Sequence, residues 1–137
     1  MKKNKMSGRS ALAVVILALL SLASVAQAQG ERQFLGSWKG NISIMTQTLE
    51  VRFVFTLDEA KKIKGTFDSI TQGAAGLNLG DIKIEGKNIS FIIADLAAQG
   101  NPTFKGTLDK TGTKVTGDFT QAGYTGTFSV EKEKPQK

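Results

Sequence analysis

Six side chains stand out as able to hold a ligand: Gln47, Asp68, Gln72, Gln99, Gln121 and Tyr124. A glutamine amide both donates and accepts without carrying charge. Four of them around one opening would suit a neutral ligand rich in hydroxyls or amides. Tyr124 adds an apolar body with a hydrogen-bonding tip. Asp68 opens the densest polar run, Asp68-Ser69-Ile70-Thr71-Gln72-Gly73. Its carboxylate and the Ser69 hydroxyl could touch a ligand, or the run could bond its own backbone and turn the chain, with Gly73 at positive φ.

Catalysis has little to work with. The 137 residues include no histidine and no cysteine. Ser69 therefore has no imidazole to activate it, and both thiol nucleophiles and the commonest general base are missing. Most transition-metal donors go with them. A pair of carboxylates can hydrolyse glycosides, but only Asp68 and Asp95 fall towards the glutamines, and no spacing marks them as a pair. The expectation is a non-enzymatic protein with no metal and no cofactor.

The six candidates share one end only if the chain folds as an up-and-down meander. Past residue 30 it reads as short runs of period-two alternation separated by turn signals. Eight strands are expected, over about 35–44, 48–57, 62–70, 77–85, 89–93, 103–109, 113–120 and 124–131. One helical turn each is expected at Ala94–Gln99 and Glu31–Leu35. Alternate connections then meet at the same end. Asp58–Lys61, Gly86–Asn88 and Lys110–Gly112 make one set of tight turns. The longer loops, each with one glutamine, make the other.

A motif of apolar, any, glycine, any, apolar recurs at Trp38–Ile42, Ile63–Phe67, Phe104–Leu108, Val115–Phe119 and Tyr124–Phe128. Alternation puts each glycine on the inner face beside its apolar neighbours. Inward glycines let strands bend sharply, which an eight-stranded closed barrel requires and which the corners of a two-sheet sandwich also use. A barrel of this size is either filled by side chains or holds one small ligand. The glycines favour interior space; an interior packed with Phe53, Phe55, Phe67, Phe91, Phe104, Phe119 and Phe128 would exclude a ligand. Trp38, near the start of the first strand, reads as a plug at one end.

The first residues differ from the rest. Lys2, Lys3, Lys5 and Arg9 precede the apolar run Ala11–Leu20, and Ala26-Gln27-Ala28 closes it. That is the layout of a signal peptide cleaved near Ala28, and the run is short for a membrane span, which takes roughly 20 apolar residues. The expected organisation is a signal peptide over 1–28, a barrel over 29–131 and a frayed tail over 132–137. The protein is then periplasmic or extracellular, with no stable membrane insertion after cleavage. The formal charge of +6 comes from 18 basic and 12 acidic residues; without the leader's four basic residues it falls to 14 against 12, or +2. Mixed charges of that size argue against a nucleic-acid partner. The cluster Lys61-Lys62-Ile63-Lys64 reads as the solvated start of a strand.

In order, Gly36-Ser37-Trp38-Lys39-Gly40, Asp68-Ser69 with Gln72-Gly73, Phe104-Lys105-Gly106-Thr107-Leu108 and Gly117-Asp118-Phe119-Thr120-Gln121 resemble a small lipocalin-like barrel domain of exported bacterial proteins. That domain often stands immediately before a secreted α/β serine hydrolase. The resemblance implies the barrel and brings no defined activity with it. This chain departs from the pattern in having no G-x-S-x-G elbow, and in carrying Tyr124-Thr125 where those relatives tend to have Pro-Leu. Two functions are therefore expected. One is a lipocalin-like barrel binding a small, partly apolar ligand. The other is an accessory domain with a protein partner, serving a separate secreted hydrolase or another envelope protein.

Overall fold

The computed structural model describes residues 30–134. The expected signal peptide over 1–28 lies outside the described residues, as does the end of the expected tail. Eight strands follow one another: β1 (Gly36–Ile44), β2 (Gln47–Leu57), β3 (Ile63–Ser69), β4 (Ala74–Glu85), β5 (Asn88–Ile93), β6 (Thr103–Leu108), β7 (Lys114–Gln121) and β8 (Tyr124–Lys132). Each pairs with the next, and β8 pairs with β1, all antiparallel, so the sheet closes on itself. The sandwich alternative is thereby excluded, and no strand is left as an edge.

Most boundaries fall within a residue or two of the periodicity. The largest difference is β4, which starts at Ala74 because that residue pairs with Ser69 after a tight turn. Ala94–Gln99 is a short 3-10 helix, and residues 30–32 are helical. The C-terminal end is better held than a frayed tail would be. β8 continues to Lys132, the Glu133 N–H donates to the Ser37 carbonyl at 2.8 Å, and the Arg52 guanidinium donates to the Glu133 carboxylate at 2.7 Å. That hydrogen bond, then the charge of Glu133, holds the guanidinium above its usual pKa.

Glycine lets the sheet close, though not by leaving space. Gly106 and Gly117 face each other across β6 and β7. A methyl group on Gly117 would run into the Lys105 carbonyl and the Gly106 backbone, while one on Gly106 would lie 2.7 Å from the Phe128 ring. The room that such glycines free is taken up by rings. All eight phenylalanines of the chain are buried, with Trp38, Ile42, Val51, Ile89, Leu108 and Val115 among them. Phe53 lies 5.0 Å from Phe104, 5.2 Å from Phe91 and 5.4 Å from Phe67, centroid to centroid. Phe104 continues the cluster to Phe119 at 4.9 Å and Phe128 at 5.2 Å. Burying each ring stabilises by about 1.5–3 kcal/mol. A void beneath Phe34 and Trp38 measures about 10 Å³, room for a single water at most.

The two ends of the barrel differ. At the tight-turn end the chain enters through Phe34, which is fully buried and stoppers the barrel. Trp38 acts as the expected plug: its Nε1–H donates to the Phe34 carbonyl at 2.9 Å, and the Lys132 ammonium sits 5.3 Å above its ring. Both termini of the described chain leave from this end, Gly30 beside the β4–β5 turn and Lys132 paired with Trp38. The loop end carries the β1–β2, β3–β4, β5–β6 and β7–β8 connections.

Candidate functional site at the loop end

Gln47, Asp68, Gln72, Gln99, Gln121 and Tyr124 all fall at the loop end, as the meander requires. They do not ring an open mouth. The β5–β6 connection folds across it and docks on the β7–β8 turn. There the Ala122 N–H donates to the Gly100 carbonyl at 2.9 Å, and the Gln121 amide donates to the Gln99 carbonyl at 2.8 Å. The contact is close enough that a side chain on Gly100, at φ +92°, would collide with Ala122.

The polar run after β3 is likewise committed to the fold. Backbone register between β3 and β4 is limited to Thr66–Asn78, Phe67–Leu77 and Ser69–Ala74, with an irregularity between the last two. Two carboxylates supplement that sparse seam. Asp68 accepts from the Gly76 N–H at 2.7 Å, and Asp95 reaches from the 3-10 helix to accept from the Asn78 N–H at 2.8 Å. The buried Ser69 hydroxyl meets the Gln72 amide oxygen at 3.1 Å. Thr71 closes the cluster by accepting from the Glu50 N–H at 2.8 Å. Gly73 has the expected positive φ, +71°. Asp68 and Asp95 thus share an end and brace β4 from its two neighbours, each through a backbone amide.

Gln47 and Tyr124 differ from the other four. Both are exposed, and neither side chain makes a hydrogen bond among the described residues. Beside them the structure places two residues that sequence reasoning passed over. Met45 and Ile70 are exposed at 79% and 42%, and with Tyr124 at 56% they are the exposed large hydrophobics among the described residues. Met45 and Ile70 sit on loop-end connections, and Tyr124 opens β8 at the same end. Met45 is the first residue of the two-residue turn between Ile44 and Gln47, at φ +54°. Glycine or asparagine is the usual occupant of such a position, and a larger side chain there costs about 1–2 kcal/mol.

Charge separates the ends as well. Residues 41–49, 69–80, 92–104 and 119–130, which build the loop end, contain no lysine or arginine. Within them the one charged residue is Asp95; Glu50, Asp68, Asp81, Lys105, Asp118 and Glu131 stand at their borders. Every described cation lies on the body or the tight-turn end. A signal for this was available in the sequence: the gaps between lysines coincide with the glutamine-bearing loops.

The outer wall offers a second concavity. A groove of about 440 Å³ crosses β4 to β7, lined by Lys83, Glu85, Ser90, Lys105, Thr107 and Asp118 among others. Its cations and anions balance, and it presents no exposed aromatic ring. Among the described residues no group of histidine, cysteine or acidic side chains is arranged to hold a metal ion.

Taken together, fold and site define a closed, filled, eight-stranded antiparallel barrel with a partly apolar loop end whose segments carry no lysine or arginine. No protein-family model matches the chain, and neither the curated proteins nor the solved structures include a significant match.

Proposed function

We propose that this protein is an exported, non-enzymatic barrel of lipocalin-like form that works through its outer surface, as an interaction domain for a separate secreted or envelope protein. The filled interior carries this reading. A ligand within the barrel would have to displace phenylalanine rings around a void of about 10 Å³. Removing one such ring from its contacts costs about 3–5 kcal/mol. The phenylalanine cluster instead makes a rigid support for the loops, and loops on a rigid scaffold are where binding residues concentrate. Cleavage near Ala28 would release the barrel into the periplasm or the medium, and a charge near +2 gives it no field to attract nucleic acid.

A second reading keeps a small neutral ligand but holds it on the loop end. The exposed Gln47 and Tyr124 favour that reading over an interior site. Chemical crosslinking at native expression level in the protein's own host separates the two. A discrete adduct with one other protein is expected. Recovery of the uncrosslinked chain alone, together with a co-purifying small molecule, would replace the interaction reading with the ligand reading.

A further inference from the structure

We propose that the loop end docks an apolar polypeptide segment bearing lysine or arginine. The inference rests on the interaction reading above and names the face and the partner's chemistry. Three observations converge on it. Met45, Ile70 and Tyr124, the exposed large hydrophobics among the described residues, are gathered on one end. Met45 stands at the tip of a hairpin in a left-handed conformation that asparagine or glycine would adopt more readily. Positive φ recurs at Lys61, Asp81, Asn101 and Ala122; what sets Met45 apart is a long apolar side chain left 79% exposed at such a position. Finally, the loop-end segments carry no lysine or arginine, and Asp95 uses one carboxylate oxygen on the Asn78 N–H and keeps its second for a partner, whereas Asp68 already has Arg52 across the strand pair.

The same facts select among occupants. A second copy of this end would bring Asp95 up to another surface that carries no cation of its own. An anionic bilayer would meet carboxylates where basic residues are needed. An apolar segment with basic side chains meets neither penalty, because its aliphatic residues cover Met45, Ile70 and Tyr124 while a cation approaches Asp95. Both described termini leave from the opposite end. Whatever is attached there, the loop end faces outward.

The test uses isotope-labelled protein, in its processed form from its own host, and two short synthetic peptides. They share their leucine and phenylalanine positions and differ in carrying lysine or glutamate between them. The lysine peptide is expected to shift the amide resonances of Met45, Ile70, Gln72 and Tyr124, and to bind at least about tenfold more tightly than the glutamate peptide. Met45→Asn should weaken that binding several-fold while raising the melting temperature, since asparagine suits the turn. Tyr124→Ser should weaken it without altering the turn. Equal binding of the two peptides, shifts confined to the tight-turn end or the β4–β7 groove, or no shift at all would overturn the proposal. So would self-association blocked by Met45→Asn, or flotation with anionic phosphatidylglycerol vesicles through this end. If the peptides fail while host crosslinking still yields a protein adduct elsewhere on the surface, the docking face is wrong and the interaction reading stands. If crosslinking also fails and a small molecule co-purifies, the interaction reading itself fails.

Discussion

Phe104 and Tyr124 show how differently aromatic residues can be used within one small chain. Phe104 is fully buried and touches the rings of Phe53, Phe67, Phe91, Phe119 and Phe128. Phe104→Ala should destabilise the barrel by about 3–5 kcal/mol, read from urea unfolding, because the rings around it cannot collapse into the gap. Tyr124→Ser should change stability by less than about 0.5 kcal/mol, as expected of a surface position. Equal costs would mean that Tyr124 packs into the fold and is not available to a partner. Asp109 gives a pH-dependent counterpart. Desolvation pushes its carboxyl pKa up, but the Thr113 N–H, the Thr111 hydroxyl and the Lys114 and Gly112 N–H groups together hold it below its usual value. A lowered folded pKa contributes stability above the unfolded value, near 3.9, and that contribution is lost as pH falls through the folded one. The Thr113 and Lys114 amide resonances should therefore move together in acid below about pH 4. Unchanged positions down to the acid unfolding transition would contradict the turn geometry.

At the scale of elements, the β3–β4 seam is where closure depends on side chains. Asp68→Ala and Asp95→Ala should each cost about 1–2 kcal/mol and speed hydrogen exchange at Gly76 and Asn78, whereas Gln47→Ala should leave that exchange unchanged. Protection equal to that of β1–β2 in the double variant would show that the backbone ladder suffices alone. Gly117→Ala should be worse than either, by more than about 3 kcal/mol, because backbone and not a movable side chain occupies the space. The strand order and the loop-end location of Gln47, Asp68, Gln72, Gln99, Gln121 and Tyr124 were legible in the sequence. Alternation fixes which face a residue takes, and short connections force neighbouring strands to pair. What the glutamines do there was not legible. Whether Gln121 points into a mouth or ties down Gln99 depends on how the β5–β6 connection folds over the end, which local periodicity does not encode. Inward glycines also read two ways from sequence, as cavity or as close approach, and only the positions of rings such as Phe128 decide between them. Met45 escaped notice because a lone methionine in a turn carries no pattern until its backbone conformation and exposure are seen.

For the molecule as a whole, phenylalanine rings fill the interior of a barrel whose size would otherwise suit one small ligand. Phe34 and Trp38 stopper one end, the β5–β6 connection covers the other, and the space between is occupied by phenylalanine. Among the described residues, lysines and arginines spread over the body and the tight-turn end, leaving the loop-end segments partly apolar with Asp95 as their charge. The central claim, that nothing is carried inside, is tested most directly by native mass spectrometry of the processed protein purified from its own host. The bare mass of the chain is expected, with no adduct that disappears on unfolding. A stoichiometric small-molecule adduct released on unfolding and absent from the Phe104→Ala protein, whose ring cluster is broken, would contradict it and return the ligand to the interior.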